Sequence, residues 1–187
     1  MRDVRRHLLF LITLSARFSV KIQEQAATMP DKALFTSTAV VKPEWIDYNG
    51  HMNMGYYLVA FDHIATDSYF DFLDIGITHL QTSNYSTFTL GSNIDFIHEV
   101  VADDALRFTT QLVDYDSKRL HYFHTMYHAD EGYIAATNEC LTMYIDMGTR
   151  RGTGFSELQL QRFKEQLDLG ENLGVPAGFG RNLGIRR

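Results

Sequence analysis

Asp47, Asn49, His51 and Asn53 occupy alternate positions of one seven-residue stretch, Asp47-Tyr48-Asn49-Gly50-His51-Met52-Asn53. An acid, two amides and a histidine in so short a run, with Gly50 inside it and Gly55 just beyond, make a polar loop of reactive side chains. The residues that follow are aromatic and apolar at helical spacing. A polar loop feeding a helix brings unpaired backbone N–H groups and the positive end of the helix dipole to one place. That arrangement suits an anion or a developing oxyanion.

The elements that must hold this loop can be read outward from it. A helix is expected from about Met54 to Leu73, because Tyr57, Phe61, Ile64, Ser68 and Phe72 recur at spacings of three and four and share a face. Leu58, Ala65, Tyr69 and Leu73 widen that face, so the helix suits enclosure by a sheet better than a flat surface. Asn53 is a good N-cap, and the helix is expected to stop at Gly76. A first strand is expected before the loop, between Leu34 and Ile46 and ending near Pro43. After Ser83 the pattern changes to strands at Ser86–Phe96, Ala105–Asp114, Leu120–His128 and Tyr133–Met147. The breaks at 116–119 and 129–132 are short enough for hairpins, which make an antiparallel sheet. A short amphipathic helix is expected over 156–169, with Ser156 and Gln159 forming a capping box and Leu160, Phe163 and Leu167 on one side. The order is strand, long helix and four antiparallel strands, an α+β layout.

Composition narrows the class. The 187 residues predict one main domain, with hydrophobic and charged fractions ordinary for a globular chain. Net charge is −6, which argues against a nucleic-acid partner. The single Cys140 excludes an internal disulfide and a cysteine zinc site. His121, His124 and His128 share one strand, but His121 faces away from the other two and no acid completes a ligand set, so no metal and no cofactor are expected. Residues 1–33 read as a leader outside the domain, 34–150 as the domain, and 151–187 as a short helix with a Gly-rich tail. Within the leader, Arg2, Arg5 and Arg6 precede a short apolar run, too short to span a bilayer. It is compatible with an unstructured leader, a true start at Met29, a targeting peptide or an interfacial anchor. A cytoplasmic location is expected.

The layout, the loop and Tyr57 together resemble the hotdog-fold acyl-CoA thioesterases, the 4-hydroxybenzoyl-CoA thioesterase-like group. Their pattern is an Asp, then Gly-His-x-Asn, then a Tyr in the first turns of a long helix wrapped by a curved antiparallel sheet. The resemblance covers about residues 36–147. The wider Trp45-Ile46-Asp47-Tyr48-Asn49-Gly50-His51-Met52, the later Asp116-Ser117-Lys118-Arg119-Leu120-His121-Tyr122-Phe123-His124 and the tail Gly180-Arg181-Asn182-Leu183-Gly184-Ile185 look most like the betainyl-CoA thioesterases of carnitine breakdown. Two positions depart from the pattern. Met54 stands where a second Asn is common, and a glutamate expected on the second strand is replaced near Gly91.

The resemblance implies hydrolysis of an acyl-CoA thioester, with betainyl-CoA or another short-chain ester as substrate. Asp47 would be the nucleophile or the general base, with Asn49 and His51 completing an Asp-x-Asn-x-His array. For His51 a purely structural role in the loop stays open. The oxyanion would sit on the backbone N–H groups of Met54 and Gly55. Tyr57, Trp45 and Asp62 are expected to line the substrate site, Asp62 also standing as a reserve carboxylate. Trp45, Tyr48, Tyr56 and Tyr85 are candidates for an aromatic box around a quaternary ammonium. Lys118 and Arg119, at a hairpin tip, are candidates for the CoA phosphates, with Arg181, Arg186 and Arg187 behind them. An exposed sheet edge implies a homodimer or homotetramer. A hotdog hydroxyacyl dehydratase or hydratase, and a non-catalytic acyl-CoA-binding module, remain as other readings of the same residues.

Overall fold

The computed structural model describes residues 34–171 and 173–180. The leader and Arg181, Arg186 and Arg187 lie outside the described residues. Six strands form one antiparallel sheet: β1 (Phe35–Val40), β2 (Tyr85–Phe96), β3 (Ala105–Tyr115), β4 (Arg119–His128), β5 (Ile134–Asp146) and the two-residue β6 (Arg151–Gly152). Their order is β1-β3-β4-β5-β2, with β6 on β5. The four main strands fall where the alternation of side chains placed them. β6 was not legible, because two residues carry no period.

The central helix, α1, is three abutting segments: Met54–Ala60, a π-helical stretch Phe61–Thr66, and Asp67–Phe72. The π stretch changes which face is buried. A π turn takes more residues than an α turn. The buried row is therefore Tyr57, Phe61, Ala65, Tyr69 and Leu73, at a uniform spacing of four. Beyond Phe61 the expected face is buried on its Ala65, Tyr69 and Leu73 side, while Ile64 and Ser68 are half-buried and Phe72 is left 50% exposed. Phe61 and Tyr69 pack onto the sheet, with Phe61 edge-on to Phe108 and Tyr69 against Tyr122.

The end of α1 also differs from expectation. Asp74, with φ of 61°, takes the left-handed position, two residues before Gly76. Gly76 is needed for space: a Cβ there would collide with the Asp71 side chain and lie 2.7 Å from its backbone nitrogen. A helix that the sequence did not indicate, α2 (Ile77–Ser83), follows.

α3 (Glu157–Glu171) carries the expected capping box. The Ser156 N–H donates to Gln159 Oε1 at 2.9 Å, and the Gln159 N–H donates back to Ser156 Oγ at 3.3 Å. Gln159 Nε2 also donates to the Asp74 carbonyl at 2.8 Å, tying α3 to the end of α1. β1 covers only the Ala105–Thr110 half of β3, and α3 packs against β3. Phe163 is fully buried there, edge-on to Tyr115 and Phe155.

Candidate active site

The loop 47–53 is built by its own backbone. The Asp47 N–H donates to the His51 carbonyl and the Gly50 N–H to the Asp47 carbonyl, both at 3.0 Å. Gly50 has φ of +86°, where a side chain would be strained. The Asn53 N–H donates to the Trp45 carbonyl, and the Met52 N–H to the Val100 carbonyl at 2.8 Å. The loop is thereby pinned to the chain leaving β2.

Asp47 is held by both carboxylate oxygens. Its Oδ1 accepts the Asn49 N–H at 2.7 Å, and its Oδ2 lies 3.4 Å from Asn53 Nδ2. Asn49 thus reaches Asp47 through its backbone rather than its side chain. His51 Nδ1 is 3.2 Å from the Met52 carbonyl, a contact that places a proton on Nδ1; in the neutral ring Nε2 is then the acceptor.

Asn53 caps α1, its Oδ1 accepting the Gly55 N–H at 2.9 Å. This bears on the expected oxyanion site. The Gly55 N–H is already committed to the cap, so of the expected pair only the Met54 N–H has no partner among the described residues.

Beside the helix start lies a cavity of about 220 Å³, lined by His51, Met52, Met54, Tyr57, Phe96, Ile97, His98 and Glu99. Tyr57 donates to the His98 carbonyl at 3.3 Å and packs edge-on to Phe96, with ring centroids 5.2 Å apart. Burial is the main reason its phenol sits above the usual tyrosine range. Asp47 is not in the cavity wall. Glu99 and His98 were not read as site residues from the sequence. A single acid at a strand end has no spacing signal.

The other candidates are dispersed. Trp45 is 6% exposed and packs in the core, its ring stacked on Tyr56 at 6.0 Å. Its carbonyl accepts the Asn53 N–H at 2.9 Å, and it does not line the cavity. Tyr48 is exposed and Tyr85 lies tilted against Tyr144, so the four aromatics expected as a box are not brought together. Asp62 lines a separate cleft of about 40 Å³ with Leu58, Thr66, Thr89, Ser92, Tyr122, Asn138 and Cys140.

Lys118 and Arg119 are far from the loop in the chain. The chain after β2 meets β5 at Ala135, whereas Arg119 pairs with Met143, eight residues further on and roughly 25 Å away at ~3.3 Å per residue. Arg119 is also engaged by Asp116, through Nε at 2.9 Å and Nη2 at 2.5 Å. Burial works to raise the Asp116 carboxyl, but the guanidinium and the N–H groups of Lys118 and Arg119 outweigh it and hold the carboxyl below its usual range.

The three strand histidines have separate partners. His121 Nε2 lies 2.8 Å from Glu139 Oε1, and His128 Nε2 3.5 Å from Asp104 Oδ1. Two of them therefore do have an acid beside them, which the sequence did not indicate. His124 is fully buried between the hydroxyls of Thr110 at 2.8 Å and Thr66 at 3.0 Å. Burial pushes its pKa down to about 3, so it is a neutral, structural ring. Burial also pushes the Cys140 thiol up to about 12, which leaves it protonated and inert. Among the described residues, no helix is long and apolar enough to cross a membrane.

Comparison with known proteins agrees with this geometry. The model of the thioesterase-like superfamily matches residues 41–167. A betainyl-CoA thioesterase of Pseudomonas aeruginosa is 32% identical over 154 residues, covering 82% of this chain and 96% of that protein. A Staphylococcus aureus protein solved in complex with CoA superposes with a TM-score of 0.74 at 29% identity, covering 82% of this chain and 96% of that one. A 1,4-dihydroxy-2-naphthoyl-CoA thioesterase from Synechocystis shares the fold, with a TM-score of 0.62 at 15% identity over 72% of this chain and 98% of that one. A curved antiparallel sheet around α1, the loop that caps it and the extent of these matches lead to one assignment: the chain belongs to the thioesterase-like superfamily, has the hotdog fold, and is a thioester hydrolase.

Proposed function

We propose that the protein hydrolyses a short-chain acyl-CoA, with betainyl-CoA the favoured substrate, and that Asp47 carries the chemistry. The observation that carries this reading is the Asp47 carboxylate, oriented by the Asn49 N–H and by Asn53 beside the start of α1. In one route Asp47 Oδ2 attacks the thioester carbon. The carbonyl electron pair moves to oxygen, and its return expels the CoA thiolate and leaves a mixed anhydride. Water then cleaves the anhydride, releasing the acid and restoring Asp47. In the other route Asp47 takes a proton from the attacking water. In both, the tetrahedral oxyanion develops beside the Met54 N–H and the positive end of α1. His51 Nε2 is an acceptor suited to ordering the water. The 32% sequence identity to a betainyl-CoA thioesterase supports the substrate class.

The same reading includes an assembly. β2 is a sheet edge of 12 residues, and Leu90, Phe96 and Ile97 along or just beyond it are exposed, as are Met54 and Leu58 on α1. An uncovered edge with apolar neighbours fits a homodimer or a homotetramer, which sedimentation measurements would report.

The test is Asp47→Asn, followed by release of free thiol from acyl-CoA. Turnover should fall at least a hundredfold with circular dichroism unchanged. Near-normal turnover in the folded variant would remove Asp47 from the chemistry.

A further inference from the structure

We propose that the cavity at the start of α1 is a cation-selecting pocket for the acyl head group, with the Glu99 carboxylate as its counter-charge and Tyr57 and Phe96 as its π walls. This rests on the reading of the protein as an acyl-CoA thioesterase and names what that site selects.

A quaternary ammonium donates no hydrogen bond. It is held by π faces and by a nearby negative charge, and directed donors or acceptors add nothing. The cavity has that character. Its wall is largely apolar or aromatic, contributed by Met52, Met54, Tyr57, Phe96 and Ile97. Among the described residues, Glu99 is the only carboxylate that lines it, and no lysine or arginine does. Tyr57 and Phe96 meet at 77°, so they present two roughly perpendicular ring surfaces.

Glu99 is fixed from behind, where the Tyr133 hydroxyl donates to its carbonyl at 3.1 Å. Its charge is also felt across the pocket. After burial, which is the largest cause, the Glu99 carboxylate adds to the upward shift of the Tyr57 phenol.

Size separates this cavity from the cleft at Asp62. A volume of about 220 Å³ is that of roughly seven waters at ~30 Å³ each, comparable with the seven heavy atoms of a betainyl group. The Asp62 cleft, at about 40 Å³, holds little more than one water. The larger cavity also borders Met54 and His51, so a head group inside it leaves the thioester next to the loop.

The experiment compares kcat/KM for betainyl-CoA with that for 3,3-dimethylbutyryl-CoA, which has the same shape with carbon in place of the charged nitrogen. The wild-type protein should prefer the cation at least tenfold. Glu99→Gln, a change at an exposed side chain, should reduce that preference at least tenfold, and Phe96→Leu should reduce it severalfold. Circular dichroism and Tm confirm that both variants fold. Equal hydrolysis of the two esters by the wild type would overturn the proposal. So would an undiminished preference in Glu99→Gln, or a loss of preference in Asp62→Asn instead. Release of no thiol from either ester or from a wider acyl-CoA panel would overturn the thioesterase reading, and this proposal with it.

Discussion

Asn53 both caps α1 and touches Asp47: its Oδ1 accepts the Gly55 N–H at 2.9 Å while its Nδ2 lies 3.4 Å from Asp47 Oδ2. One side chain therefore fixes the helix start and the proposed reactive carboxylate relative to each other. The two functions can be separated by substitution. Asn53→Ala removes both, and the lost cap alone should cost about 1 kcal/mol of stability. Asn53→Asp keeps the capping oxygen but loses the Nδ2–H donor and puts a second negative charge beside Asp47. It should keep most of the stability and still lose at least tenfold in kcat. Urea unfolding and thiol-release kinetics on the two variants read the two effects independently. Equal kcat in Asn53→Asp and the wild type would show that the Asn53–Asp47 contact has no part in turnover.

Lys118 is exposed at its hairpin tip, whereas its neighbour Arg119 is held by Asp116. If a partner's tip meets the CoA phosphates, Lys118→Ala should raise KM for a CoA ester severalfold. The increase should be larger than for the matching N-acetylcysteamine ester, which lacks the nucleotide. The difference should also shrink as salt is raised, since exposed charges are screened. A KM that rises equally for both esters would take the hairpin tip out of the carrier's path.

Gly76→Ala tests the turn after α1. The added methyl would have to displace Asp71, whose backbone nitrogen lies 2.7 Å from the ideal Cβ position. Overpacking of this kind costs roughly 1–3 kcal/mol. The urea midpoint should fall accordingly. An unchanged midpoint would mean that the 71–76 turn relaxes freely.

The parts of the molecule that repeat were legible in the sequence, and the parts set by one local event were not. The alternation in Arg107–Val113 and its counterparts located four strands. Asn53, Ser156 and Gln159 announced their caps by residue type. The π stretch at Phe61–Thr66 leaves no composition mark, so the expected face of α1 is centred on Ile64, Ser68 and Phe72, and its margin, Ala65, Tyr69 and Leu73, is what the sheet buries. The loop 47–53 was found by its chemistry. Which of its N–H groups stays unpaired depends on Asn53 Oδ1 choosing Gly55, a matter of geometry. Glu99 was missed because its relevance comes from Tyr57 and Phe96, distant in sequence or silent in type. His121 and Glu139, eighteen residues apart, are brought together only by the β4–β5 register.

His124 gives stability a pH dependence with a definite sign. Its ring is buried between Thr66 and Thr110, and burial lowers its pKa from 6.5 to about 3. The unfolded chain therefore binds a proton at this residue at a pH where the folded chain does not. The stability at stake is fully present above pH 6.5 and is lost as pH falls from 6.5 toward 3. Between those limits the loss should approach roughly 1.4 kcal/mol per pH unit from this one group. His124→Gln should be less stable than the wild type at pH 7.5, since it disturbs the two threonine contacts. Its stability should then fall less steeply between pH 6.5 and 4.5. Urea midpoints at half-unit intervals across that window measure both slopes, and parallel slopes would mean that His124 is not the group whose protonation the fold excludes.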